Sequence, residues 1–178
     1  MRPLVRALVR VDDLAASLAL WLCAAILLAM VTIAGLGVVF RFGLHASLSW
    51  SEELDAYLFV WLTCLGAAAG VKRRAHPNVQ VFIDRLGERQ RAAVGVAADV
   101  AIFVFGALFA FYGGQLILLM GEETASSLPF SMSYPAAAVP VGGALFMLHS
   151  LTHAATALFD PAAARGAASA AHAASHDA

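Results

Sequence analysis

The chain has 178 residues, 61% of them hydrophobic and only 13% charged, with a formal net charge of −1 at pH 7. A soluble domain is about half apolar and about a quarter charged, so this composition excludes a water-solvated enzyme and makes the bilayer the expected solvent. Nothing in it implies a nucleic-acid partner.

A bilayer core about 30 Å thick takes about 20 helical residues to cross. No Asp, Glu, Lys or Arg occurs at 14–40, 56–71, 100–121 or 124–159. Each stretch holds one spanning helix, and the shortest extends into the headgroups through Trp50 to Asp55. Arg2, Arg6 and Arg10 before the first stretch resemble the basic start of a cleaved leader. However, the apolar run is too long, Asp12 and Asp13 intervene, and no small-x-small cleavage site follows, so a retained first helix is expected. Cys23 and Cys64 both fall inside spans and form no paired motif, which makes them packing thiols rather than a disulfide or redox pair.

After the first span come Arg41-Phe42-Gly43 and then Ser49-Trp50-Ser51-Glu52-Glu53-Leu54. Ser49 with Glu52 three residues on has the spacing of a capping box, and acids suit the positive end of a helix. Trp50 is an interface anchor. The sharper alternative is that Arg41, or a partner protein, pairs with the acids. Along the second span, Glu52, Asp55, Phe59, Gly66 and Gly70 fall on one stripe at 100° per residue. Gly66 to Gly70 is a GxxxG, and small residues mark close helix contacts in membranes. Its partner is either a helix of this chain or one of another chain. Span three repeats the spacing with Gly106, Ala110 and Gly114.

Between spans two and three, His76-Pro77 ends one helix and Pro77 can open another. Val79, Phe82, Ile83 and Leu86 then recur at helical spacing opposite Gln80, Asp84, Glu88 and Arg91, which is either a short amphipathic helix lying in the interface or a polar loop. Asp99 is expected at the membrane boundary. In span four, Pro135 and Pro140 fit a helix start and a kink. His149 and His153 share a face there, and are read as solvated or capping histidines in preference to metal or haem ligands. From Pro161 the sequence is Ala-rich and of low complexity.

Lys and Arg near span ends are retained in the cytoplasm. Arg2, Arg6, Arg10, Lys72, Arg73, Arg74, Arg85, Arg89, Arg91 and Arg165 gather on one side, and only Arg41 falls opposite, among Glu52, Glu53, Asp55, Glu122 and Glu123. The expected fold is therefore an all-α integral membrane protein. It has four transmembrane helices, both termini cytoplasmic, and a short amphipathic interfacial helix between helices two and three. Residues 1–160 form the single transmembrane domain and 161–178 a disordered cytoplasmic tail.

Arg41-Phe42 closing the first span, Trp50-Ser51-Glu52-Glu53 opening the second, Trp61 and Leu65-Gly66-Ala67-Ala68 within it, and Arg73-Arg74-Ala75-His76 before a Val-rich linker resemble the small membrane subunit of tripartite ATP-independent periplasmic (TRAP) transporters. The resemblance covers the four-span layout and is most specific from about Arg41 to Leu86. It implies a bacterial inner-membrane uptake system. A periplasmic substrate-binding protein would deliver an organic acid to a large multi-span permease subunit that moves it with sodium, and this chain would brace the permease among membrane lipid. Arg41, Trp50, Glu52, Glu53, Arg73 and His76 would then be structural or interface residues, alongside Asp55, Gly66 and Gly70 on the contact stripe, with no catalytic residue, metal or cofactor. Two other classes are a self-sufficient proton-coupled exporter and a membrane redox protein. The first needs an acid deep in a span, the second facing histidines or paired cysteines.

Overall fold

The computed structural model describes residues 3–46, 48–73 and 87–159. In chain order the elements are α1 (Pro3–Gly43), α2 (Ser49–Lys72), α3 (Glu88–Leu119), the single turn α4 (Ser133–Ala136) and α5 (Ala138–Phe159). Among the described residues all regular structure is helical, apart from one isolated antiparallel bridge between Thr124 and Ser131. Four segments are long and apolar enough to cross a membrane: α1, α2, the part of α3 from Ala93 onward, and α4 with α5 together. The expected interfacial helix over Val79 to Leu86, and the tail from Pro161, lie outside the described residues.

At about 1.5 Å per residue the 41 residues of α1 extend for about 60 Å, twice the hydrocarbon thickness. The helix therefore reaches well past the bilayer at one or both ends. The helix ends at a turn in which Leu44 and Ala46 both donate their N–H to Phe40 O, with His45 in the left-handed region at φ 55°. α2 then runs back along α1: Ser51 lies beside Gly37, Cys23 Sγ reaches Leu62 O, and Lys72 meets Asp12.

α5 is the central helix. It packs against α3 most extensively, then α2 and α1, and more of it is enclosed by protein than of any other span. Its seam with α3 is built from missing side chains. A Cβ on Gly143 would come within 2.6 Å of Ala110 N and Gly106 O, and one on Gly113 within 2.7 Å of Pro140 Cδ. Without hydrophobic drive between helices in lipid, such backbone proximity is what supplies packing energy. Pro140 lacks the N–H that would continue the ladder toward Ala136, which explains the break at Ala137 between α4 and α5.

Two sequence expectations are corrected here. Ser49 does not cap α2, because the N-cap position is Leu48, with no side-chain cap bond; Ser51 Oγ instead donates to Leu48 O at 2.8 Å. And the third small residue of the α3 seam is Gly113 rather than Gly114, since a Cβ on Gly114 meets nothing within 4 Å.

Candidate functional site

Antiparallel packing gathers polar side chains at the two ends of the bundle. At the end holding the α1–α2 and α3–α4 connections, Glu53 is the organising residue. Its Oε1 accepts the Tyr57 hydroxyl at 2.6 Å and the Ser126 N–H at 2.8 Å, and its Oε2 accepts the Ser127 N–H at 2.7 Å. One turn of α2 thus grips the hairpin of residues 121–132, which the Ala125-to-Phe130 and Met132-to-Glu123 backbone bonds close. Phe130 lies between Tyr57 and Tyr134, each ring centroid 6.0 Å away. Trp61 Nε1 adds a bond to Tyr134 O at 3.2 Å, fixing the entry to α5. Glu53 is therefore an internal strut.

Its neighbours differ. Arg41 and Glu52 are exposed and, among the described residues, make no ion pair with each other or with Glu53. The Arg41 pairing that the sequence allows within this chain is thus not formed. Trp50 is half-buried, as is Asp55, whose Oδ1 is enclosed without a hydrogen-bond partner. Further along α2, a Cβ on Gly66 or Gly70 would meet nothing within 4 Å, and Phe59 on the same stripe is 58% exposed. The GxxxG of α2 therefore faces outward, unlike the small residues of α3. Beside it, α2, α3 and α5 enclose a groove of about 460 Å³ whose lining, including Ala67, Gly70, Ile102, Phe105 and Phe146, is wholly apolar. It offers an organic anion no hydrogen-bond donor.

At the opposite end the structure shows a cluster that the sequence reading missed. Asp12 of α1 is completely buried; its Oδ2 pairs with Lys72 Nζ of α2, and its Oδ1 lies 2.6 Å from Nδ1 of His149 on α5, itself completely buried. Lys72 also reaches Asp13 Oδ1 at 2.8 Å. One turn along α5, His153 Nδ1 is 3.5 Å from Asp99 Oδ1 of α3, and its Nε2 is 3.3 Å from the Lys72 carbonyl. Four helices meet in this network. His149 is thus neither solvated nor capping, because burial of Asp12 demands paired, hydrogen-bonded neighbours. The signal was present in the spacing: Asp12 shares a helical stripe with buried Val5, Ala16 and Ala19, an acid where a core residue belongs. Arg73 follows as the exposed C-terminal cap of α2, donating its N–H to Ala69 O at 3.2 Å, and His76 lies outside the described residues.

Comparison with known proteins places these four apolar spans, with a polar cluster at each end, in a family. The family model for tripartite ATP-independent periplasmic transporters, DctQ component, matches residues 29–160. The chain belongs to this TRAP small-subunit family. It is similar to the sialic acid TRAP transporter small permease protein of Vibrio cholerae, 29% identical over 57% of this chain and 59% of that one. A C4-dicarboxylate TRAP transporter small permease protein of Rhodobacter capsulatus is 31% identical over 59% of this chain and 47% of its own. The chain thus spans about half the length of these relatives. The isethionate TRAP transporter permease protein of Oleidesulfovibrio alaskensis is 25% identical over 65% of this chain but only 18% of its own length. Family membership and the four apolar helices make this TRAP protein a multi-pass protein of the inner membrane.

Proposed function

We propose that this chain is the small subunit of a TRAP transporter, holding a large permease subunit in place during sodium-coupled uptake of an organic acid supplied by a periplasmic binding protein. The observation that carries the reading is the Oleidesulfovibrio relative, in which the region like this chain is a minor part of a much longer permease. A segment fused to a permease in one organism is a natural separate partner of a permease in another. The outward stripe of Phe59, Gly66 and Gly70 is the surface on which such a partner helix would pack, since a glycine face turned to lipid gains nothing from being flat. The named substrates of the relatives, a sugar acid, a dicarboxylate and a sulfonate, are all organic anions, which supports that substrate class.

The chain's own interior supports a division of labour. The groove between α2, α3 and α5 is apolar, and Asp12, Lys72 and His149 are engaged with one another rather than with an open path. Substrate sites in transporters lie near the midplane at broken helices with polar termini, whereas the break within a span at Ala137 lies only a few residues into the fourth span. The test is sodium-driven uptake in proteoliposomes holding the large subunit and the binding protein, with and without this chain. Uptake should be crippled without it and absent with it alone. Transport by this chain alone would overturn the reading, and unchanged uptake in its absence would remove the bracing role.

A further inference from the structure

Among the described residues α2 and α3 each pack on α5 and scarcely on one another, so the bundle is open along the seam between them. The opening is the apolar groove of about 460 Å³. Ala67, Gly70 and Val71 of α2 form one wall, Ala101 and Phe105 of α3 the other, and Phe146 of α5 the floor. Ala67 and Ala101 are exposed, and the Phe105 ring lies 5.8 Å from that of Phe146. Small residues on both walls over a stiff aromatic floor leave a slot that is apolar along its length. A helix with its side chains is about 10 Å across, so roughly one turn of it would use up the volume. A fatty acyl chain is slender and flexible enough to follow the slot.

One end of the slot is basic. Gly70 and Val71 lie in the last turn of α2, and Arg73, its C-cap, follows Gly70 by three residues and so shares its side of the helix. Arg73 is exposed and makes no ion pair among the described residues, whereas Lys72 beside it is taken up by Asp12 and Asp13. On the other wall, Arg91, Val94, Ala98, Ala101 and Phe105 recur at steps of three or four residues, so the backbone of α3 sets Arg91 on the groove stripe, beyond its apolar part. A guanidinium binds phosphate through paired N–H donors. An apolar slot within the spans that ends at arginines on the membrane boundary therefore matches both parts of a phospholipid.

We propose that the groove holds one acyl chain of an anionic phospholipid, with the phosphate bound by Arg73 and Arg91 adding positive charge from the opposite wall. Apolar contact alone gives the site no preference, since bulk lipid tails are as apolar as its walls. Selection comes from the charge at the mouth, and one basic residue near the membrane surface favours an anionic headgroup about fivefold. The lipid fills the seam that the protein leaves open and links α2 to α3. This inference does not depend on which permease or substrate the chain serves.

The experiment uses the full chain in mild detergent with phosphatidylglycerol that carries a diazirine in one acyl chain. After illumination, adducts mapped by mass spectrometry should concentrate on the two groove walls and spare Leu18 and Leu28 of α1, which are 63% and 70% exposed. Unlabelled phosphatidylglycerol should compete about fivefold better than phosphatidylcholine, and glycerol 3-phosphate, which has the phosphate but no chains, should not compete. Arg73→Gln, a change at an exposed position, should leave the adducts in the groove and bring the two lipid competitors close together. Ala67→Phe with Ala101→Phe fills the slot from exposed positions and should remove the adducts while circular dichroism stays helical. Adducts spread evenly over the exposed apolar faces, equal competition by the two lipids in wild type, or an unchanged preference in Arg73→Gln would each overturn the proposal. So would competition by glycerol 3-phosphate, or a dimer crosslinked through the groove, which would make a second copy its occupant.

Discussion

Asp12 shows how one residue's burial dictates the chemistry of three helices. A carboxylate removed from water costs several kcal/mol unless its charge is paired and its lone pairs are filled, and Asp12 has Lys72 on one oxygen and His149 on the other. Removing one partner therefore does more harm than removing the set. Lys72→Met should destabilise the bundle by about 3–5 kcal/mol, the usual cost of orphaning a buried charge. The double change Asp12→Leu with Lys72→Met should cost clearly less than the sum of its parts, as expected for residues in direct contact. Reversible unfolding in bicelles checks both, and additive losses would mean that the pair is not coupled. Glu53 at the far end differs in kind, since its three donors are a hydroxyl and two backbone amides rather than charges, so it orders a hairpin without an ion pair.

At the scale of helices, the same short pattern serves opposite purposes. Gly143 lies where a Cβ would strike the α3 backbone at 2.6 Å, whereas a Cβ on Gly66 enters open space. Gly143→Ala should push α3 and α5 apart and cost about 1–3 kcal/mol, the range for overpacking a tight core. Gly66→Leu should leave the isolated chain as stable as before, yet reduce recovery of a large permease partner in mild detergent more than Leu58→Ala does. Equal recovery would count against the outward stripe as a contact surface. Spacing could find both glycine sets but not sort them, because GxxxG states only that backbones approach closely and not whose. The spans themselves were legible, since α1, α2, α3 and α5 each hold most of one charge-free stretch of the length that bilayer thickness demands, although α1 and α3 start well before theirs. The Asp12–His149 pair was not, being 137 residues apart in the chain, with a contact created only when α5 settles against α1. The Ser49 cap failed for a local reason: helix entry was displaced by one residue, to Leu48, so the hydroxyl that mattered was that of Ser51.

At the scale of the whole molecule, the two ends of the bundle are electrically unlike, and this asymmetry sets how the chain sits in the membrane. The end formed by the start of α1, the close of α2 and the start of α3 carries Arg6, Arg10, Lys72, Arg73, Arg89 and Arg91, while the opposite end carries Glu52, Glu53, Glu122 and Glu123 with Arg41 as its lone base. Basic residues within a few turns of a span resist translocation, whereas acids contribute little to orientation. The basic end, with the Asp12 and His153 network, should therefore face the cytoplasm. The Glu53-held hairpin should face the periplasm. Single cysteines at the exposed positions Glu123 and Leu44, in a background lacking Cys23 and Cys64, should react with a membrane-impermeant thiol reagent applied to spheroplasts. A cysteine at exposed Arg73 should react only after the membrane is opened. The reverse pattern would invert the bundle and place the Asp12–Lys72–His149 network on the periplasmic side. Labelling at all three sites without opening the membrane would mean that α2 does not span.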